Sequence, residues 1–313
     1  MSLVNKEFPA EEIELEQIYT NFTPDYQDSA LNFAKIKQIY GALKFPSLKK
    51  QRPLLVGAFV SSIDGAIAFK ENPKSGQIAR NKKFDAHAGQ ADLWILNLLR
   101  TAADGIILGP KTLDVEPNLT GHIFDPDLAK ARSDLLNKPQ IPYNIIVSKT
   151  GQSIPYNHRV FNEENIPVII ATSPQGSQFI VEKLNCNYQV LNLRYKQKIK
   201  SLSQITREKN EVVVLVSGQG YELNEAIMFQ FLKEVGLDKI MIETPSYAHY
   251  LIKQHLLDEI FLNQAGIYIG GPKFLNNDFD FVFNPETVPQ ANMITIHVYN
   301  SYFFCFRYRM EYR

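Results

Sequence analysis

Residues 98–109 read Leu98-Leu99-Arg100-Thr101-Ala102-Ala103-Asp104-Gly105-Ile106-Ile107-Leu108-Gly109. An amphipathic segment carrying Leu93, Leu96, Leu99 and Arg100 ends here, a short apolar run follows, and Gly109-Pro110 stops it. An apolar run without polar alternation, bounded by turn residues, fits a strand buried on both faces, as strands of parallel sheets are.

The same grammar extends outward. Upstream, Leu54–Val60 is an apolar run of strand length, ended by Ser61-Ser62-Ile63-Asp64-Gly65, and a long helix is predicted from Asn81 to Thr101. Downstream, strands are predicted at Tyr143–Val147, Val168–Ala171, Glu211–Val216, Lys239–Ile242 and Glu259–Leu262. Helices are predicted over Leu223–Val235, closed by Gly236 as a C-cap, and over Ser246 to Gln254. Strands alternating with helices imply right-handed crossovers and a mostly parallel central sheet. Met293–Val298 and Tyr302–Tyr312 alternate aromatic and polar residues, which predicts an antiparallel hairpin at a sheet edge. The charged segment 196–210 reads as a solvated helix or loop.

Residues 1–51 differ in character. Ile13, Leu15, Ile18 and Tyr19 fit one face of a short helix, and Phe33, Ile36, Tyr40 and Leu43 fit a second from Ser29 to Leu43, with Gly41 near its stop. The expected organisation is a helical extension over 1–51, packed on the main body or on a partner chain, and one α/β domain over 52–313.

The totals narrow the function classes. The 33 basic and 33 acidic residues cancel, so they suggest neither a nucleic-acid surface nor another polyanion partner. A neutral surface also favours covering some of it with another subunit. Cys186 and Cys305 show no ligand spacing, so neither a structural metal nor a disulfide framework is expected. No signal-like or membrane-length apolar segment is seen, so the expected setting is cytoplasmic.

Ligands of parallel sheets sit at the carboxyl ends of the strands. Four such ends carry chemistry: Ser62-Ile63-Asp64-Gly65, Gly109-Pro110-Lys111-Thr112, Ser217-Gly218-Gln219-Gly220 and Glu243-Thr244-Pro245-Ser246. Neither a GxGxxG nor a Walker A motif is present. The order of the segments is more specific than any one of them. Strand, Ser-Ile-Asp-Gly, Ser75, the 98–109 stretch, Thr112, Glu116-Pro117-Asn118-Leu119-Thr120, Gly236-Leu237 before Ile240–Glu243, and Leu257–Ile260 ahead of Gly270-Gly271 follow one another.

This succession resembles the reductase half of the bifunctional riboflavin-biosynthesis deaminase/reductase, over residues 52–313. The resemblance implies a dihydrofolate-reductase-like, three-layer α/β domain. It further implies an NADPH-dependent reductase of a small heterocycle, such as 5-amino-6-(5-phosphoribosylamino)uracil, and the resemblance alone implies a homodimer specifically. The implied cofactor residues are Gln77, Gly109, Thr112, Ser148 and the loop Thr244-Pro245-Ser246-Tyr247; substrate contacts fall to Ser75, Arg100, Leu119 and Glu243. Arg100 is expected to offer a positive fork to a phosphate or carbonyl, and Glu243 to accept from a pyrimidine amino group. No HxE or PCxxC zinc motif occurs, so no deaminase is expected within these residues.

Three departures accompany the resemblance. The cofactor loop, usually Glu-Gly-Gly, is Glu243-Thr244-Pro245, which loses backbone freedom and an N–H. The acidic group after Thr112 is shared between Asp114 and Glu116, the catalytic candidates, and the spacing does not choose between them. His122 stands where the family places a phosphate-gripping arginine, and an imidazole is a weaker, pH-dependent anion ligand. A second reading is therefore kept: a non-catalytic paralogue that binds a nucleotide-like ligand and acts through its homodimer.

Overall fold

The computed structural model describes residues 3–312, apart from residues 32, 50, 75, 81–87, 196–210 and 272–282. Strand β1 (Glu16–Thr20) comes first; β2 (Tyr26–Asp28), helix α1 (Ala34–Ile39) and β3 (Lys44–Pro46) follow. The alternating body runs β4 (Leu54–Ser62), α2 (Ala88–Ala102), β5 (Gly105–Leu108), α3 (Pro110–Val115), α4 (Pro126–Leu136), β6 (Tyr143–Val147), α5 (Arg159–Asn162) and β7 (Val168–Thr172). It continues with α6 (Pro174–Lys183), β8 (Tyr188–Asn192), β9 (Val212–Val216), α7 (Glu225–Glu234), β10 (Lys239–Ile242), α8 (Pro245–Lys253) and β11 (Glu259–Ala265). The long strands β12 (Gln290–Asn300) and β13 (Phe303–Glu311) end the chain.

Among the described residues, eleven strands form one sheet in the order β1-β12-β13-β11-β4-β10-β5-β6-β7-β9-β8. Every neighbouring pair from β11 to β8 is parallel, and β1, β12 and β13 add antiparallel pairing at one end. Side chains on successive residues of a strand point to opposite faces, so the apolar runs feed two cores. In β9, Val212, Val214 and Val216 enter one core and Val213 and Leu215 the other. Trp94 and Leu98 of α2, Leu128 of α4 and Ile180 of α6 cover the first face; Met228 and Phe229 of α7 and Leu251 of α8 cover the second. The result is the expected three-layer α/β arrangement, a mostly parallel central sheet with a C-terminal antiparallel hairpin.

The N-terminal segment departs from the helical expectation. Residues 16–20 form β1, which pairs antiparallel with β12. Ile13 and Leu15 are buried while Ile18 and Tyr19 are exposed, a two-residue inward spacing rather than a helical stripe. The helix predicted over 29–43 contracts to the six residues of α1, flanked by β2 and β3, which pair with each other. Gly41 ends it with φ +85°, in the left-handed region. Because β1 caps β12, the C-terminal hairpin is not at the sheet edge; the edges are β1 and β8. Of the helix predicted over 81–101, the described part is α2, and residues 81–87 and 196–210 lie outside the described residues. Strand β8 and helices α4 and α6 had no counterpart in the sequence reading.

A buried ion pair ties this segment to the sheet. Arg307 of β13 donates through Nη2 and Nε to Glu259 Oε2 of β11, at 2.6 and 3.1 Å, and through Nη1 to the Lys44 carbonyl at 2.8 Å. Tyr26 of β2 donates its hydroxyl to the other Glu259 oxygen. Phe261, Phe45 and Tyr26 surround the guanidinium carbon at 4.7, 5.1 and 5.4 Å, so aromatic faces replace part of its hydration. Removing one partner of such a pair strands a buried charge. Glu259→Gln is expected to lower the unfolding free energy by about 3–5 kcal/mol in urea titrations; a loss below about 1 kcal/mol would mean that solvent screens the pair.

Candidate active site

Strands β4, β10, β5 and β6 are adjacent and parallel, so their carboxyl ends open on the same side of the sheet. A cavity of about 900 Å³ lies there. One end is built from three turns: Gly109–Thr112 after β5, Ser148–Thr150 after β6, and Glu243–Ser246 after β10. The other end is walled by β4, α2 and β11 through Val60, Leu93, Leu96, Phe261, Asp92 and Asn263.

The turns fit each other closely. A Cβ on Gly109 would stand 2.8 Å from Thr244 Cγ2 and 3.0 Å from its Oγ1, so Thr244 fills the space that glycine leaves. Proline occupies the first turn of both α3 and α8, where its missing N–H costs no helical bond. Neither helix start has a side-chain cap, so the first backbone N–H groups of α8 are left to a ligand or to water. Lys111 and Lys149 line the same end, and Lys149 is paired at 2.6 Å with the exposed Glu222.

Arg100 and Glu243 meet between the two ends. Arg100 Nε donates to Glu243 Oε1 at 2.8 Å and Nη2 to Oε2 at 2.7 Å, a fork-on-fork pair. Arg100 Nη1 donates to the carbonyls of Thr120 at 3.1 Å and His122 at 2.7 Å. The guanidinium is fully buried and most of its donors are used, so the fork expected for a substrate phosphate is occupied from within. Its fixed charge instead holds the Glu243 carboxylate in place on the cavity wall.

Leu119, Gly109, Thr112, Ser148, Thr244, Pro245 and Ser246 line the cavity together with Arg100 and Glu243. Of the two acidic candidates, Glu116 lines it, whereas Asp114 is exposed on α3 and does not. Gln77 sits in the turn at 76–80, its carbonyl accepting from the Arg80 N–H, and does not line the cavity, although Gly76 does. The Tyr247 side chain turns to the second core and stacks on Tyr250 with centroids 5.9 Å apart; only its backbone remains at the α8 start. Ser75 lies outside the described residues.

His122 is not a ligand of this cavity. It is 4% exposed, its Nδ1 meets Thr120 Oγ1 at 2.5 Å, and its Nε2 meets the Val4 carbonyl at 2.8 Å. A carbonyl only accepts, so Nε2 carries the proton and Nδ1 accepts from the threonine. Both nitrogens are used: Nδ1 is held by Thr120, and Nε2 fastens the N-terminal segment at Val4, a role that motif order does not reveal.

Two polar residues in the far end have no counterpart in the sequence reading. Asp92 lies on α2 eight positions before Arg100, hence on the same stripe, and Asn263 is an inward-facing polar residue in the alternating strand β11. Those spacings were the available signal. Asn263 Nδ2 donates to Asp92 Oδ1 at 2.8 Å. Burial pushes the Asp92 carboxyl up to about 6, against the opposing pull of that hydrogen bond and of Arg80.

The model of the RibD C-terminal domain matches residues 53–288. The chain belongs to the RibD C-terminal domain family. No curated protein sequence matches it. Among solved structures, it is similar to a pyrimidine reductase-like protein from Corynebacterium diphtheriae, at 20% identity and a TM-score of 0.61, covering 88% of this chain and 98% of that one. It is also similar to the deaminase/reductase of Thermotoga maritima, at 18% identity and a TM-score of 0.53, covering 84% of this chain and 58% of that one. RibD of Acinetobacter baumannii gives 14% identity, a TM-score of 0.54 and coverage of 83% and 58%. The chain thus spans somewhat more than half of each of these last two proteins, and the likeness at such identities is one of fold.

Burial lowers the pKa of His122, and of His158 likewise, below the ordinary 6.5. The unfolded chain therefore takes up protons that the folded chain refuses, so this stabilisation is present above pH 6.5 and is lost as pH falls below it. Asp92 works in the opposite direction, its raised carboxyl favouring the folded state as acid is added. His122→Gln is expected to flatten the decline of stability below pH 6.5, read from chemical denaturation at several pH values. An unchanged slope would mean that His122 is charged in the folded state.

Proposed function

We propose that this protein is a nicotinamide-dependent oxidoreductase, with NADPH as hydride donor and a small heterocycle as acceptor. The observation that carries the reading is the two-ended cavity at the carboxyl ends of β4, β10, β5 and β6: one end is made of close-fitting turns and cations, the other of apolar walls interrupted by the Asp92–Asn263 pair. Membership of the RibD C-terminal domain family supports it, as does the likeness to the Thermotoga protein, a 5-amino-6-(5-phosphoribosylamino)uracil reductase.

The residues fit the dinucleotide. Gly109, Thr112, Ser148, Thr244 and Ser246 would hold it, with Lys111 and Lys149 supplying positive charge for its phosphates. When bound, the nicotinamide supplies a hydride. The protein's part is then orientation and exclusion of water, which hydride transfer needs more than a strong acid. Glu243, fixed by Arg100, accepts a hydrogen bond from an amino group of the substrate and so sets the ring's orientation. Leu93, Leu96, Leu119 and Phe261 exclude water from the acceptor side. Glu116, facing the cavity, is the acidic residue assigned to this site.

The replacement of loop glycines by Thr244 and Pro245 favours a second reading, a paralogue that binds a nucleotide-like ligand without turnover and works as a homodimer. NADPH is expected to raise the melting temperature of the wild-type chain, and Lys111→Ala to reduce that rise. Absence of any shift with NADPH and NADH would sink the reductase reading; a shift without oxidation of NADPH by a ribosylaminopyrimidine phosphate would favour the second. Glu243→Gln is expected to cost about 3–5 kcal/mol of stability by leaving the Arg100 charge unpaired, and to lower kcat/KM in the same assay.

A further inference from the structure

The far end of the cavity holds a polar pair whose hydrogen bonding is half complete. Asn263 is 5% exposed, and its Nδ2 is spent on Asp92 Oδ1. A carboxylate only accepts, so the amide must turn its nitrogen to Asp92 and its oxygen away. That oxygen, Asn263 Oδ1, is buried with no hydrogen-bond partner among the described residues. Asp92 Oδ2 makes no hydrogen bond among them either, the carboxyl's one bond there being through Oδ1. Both residues line the cavity. Buried acceptors in native proteins are ordinarily satisfied, so Asn263 Oδ1, in a cavity wall with the half-buried Asp92 carboxyl bonded to the same amide, calls for a donor from outside the chain.

The surroundings define that donor. Phe261 lies two residues before Asn263 on the same strand face, and Leu93, Leu96 and Val60 make the adjoining wall apolar. Arg80 is the cation facing the carboxyl, Cys305 pairs across from Asn263 on β13, and the Cys305 thiol is held neutral by burial and by the Asp92 charge. A flat ring with two neighbouring N–H groups on one edge matches two acceptors set in an apolar slot.

We infer that Asp92 and Asn263 form a subsite that receives the donor edge of a heterocyclic ligand bearing two adjacent N–H groups, as a vicinal diaminopyrimidine does. That this ligand is the hydride acceptor rests on the reductase reading above; the subsite itself does not. The sheet order puts Asn263 on β11, with β4 and β10 between it and the β5 turn, so the ring is held at the opposite end from Gly109 and Thr112. Glu243 and the Asp92–Asn263 pair then grip the ring from two sides.

The test is calorimetric binding of 5,6-diaminouracil, with uracil lacking both amino groups as the comparison, to the full chain without cofactor. The wild type is expected to favour the diamino compound by about tenfold or more, the worth of a charge-assisted hydrogen bond. Asp92→Asn and Asn263→Leu should each bring the two affinities close to parity. The ionised carboxylate is the better acceptor, so the wild-type preference should also shrink as pH falls through about 6, a readout that needs no variant to fold. Equal binding of the two compounds by the wild type, or a preference unmoved by pH and by both substitutions, overturns the subsite. A chain that prefers the diamino compound but gives no thermal shift with NADPH keeps the subsite and loses the reductase reading. The converse result loses the subsite alone.

Discussion

The Arg100–Glu243 pair is the interaction around which the cavity is organised. It joins the carboxyl end of α2 to the end of β10, residues 143 apart in the chain, and through Arg100 it also fixes the carbonyls of Thr120 and His122. Three separate stretches therefore converge on one guanidinium. A buried arginine is tolerable only with its donors used, and here each donor that is used locates a segment of the cavity wall. The charge that the motif order assigns to a ligand is spent on architecture, and the ligand-facing group is the carboxylate it holds.

A second buried ion pair does comparable work at the other end of the sheet. Arg307 and Glu259 join β13 to β11, and Tyr26 and the Lys44 carbonyl are drawn onto the same pair. With His122 holding the Val4 carbonyl, the N-terminal segment is fastened to the body at widely separated places. Phe8, Ile13, Leu15, Ile36 and Tyr40 join the core that includes Trp94. The segment is thus part of the face that carries α2, and α2 carries Asp92 and Arg100 into the cavity.

The parallel body was legible because strands buried on both faces have no choice but to be apolar throughout, and Gly105–Leu108 and Val212–Val216 display this without ambiguity. The turn residues at Gly109, Thr112, Ser148 and Thr244 were legible because their order along the chain is distinctive. What escaped the sequence was set by contacts between distant residues. Ile13, Leu15, Ile18 and Tyr19 can be read as a helical face, but pairing of residues 16–20 with β12 decides for a strand. His122 sits at the position of a ligand in the linear order, but Val4 and Thr120 take both of its nitrogens. In the sequence Asp92 is one polar residue among several on a helix, and its bond to Asn263, 171 residues away, belongs to the tertiary structure alone.

The contact between Gly109 and Thr244 couples the two positions. With a threonine at 244, any side chain at 109 must displace its methyl or hydroxyl group. Alanine at 109 is therefore expected to be better tolerated with glycine at 244 than with threonine there. In this chain a side chain at 109 and threonine at 244 compete for the same space, so what one position holds sets what the other can hold.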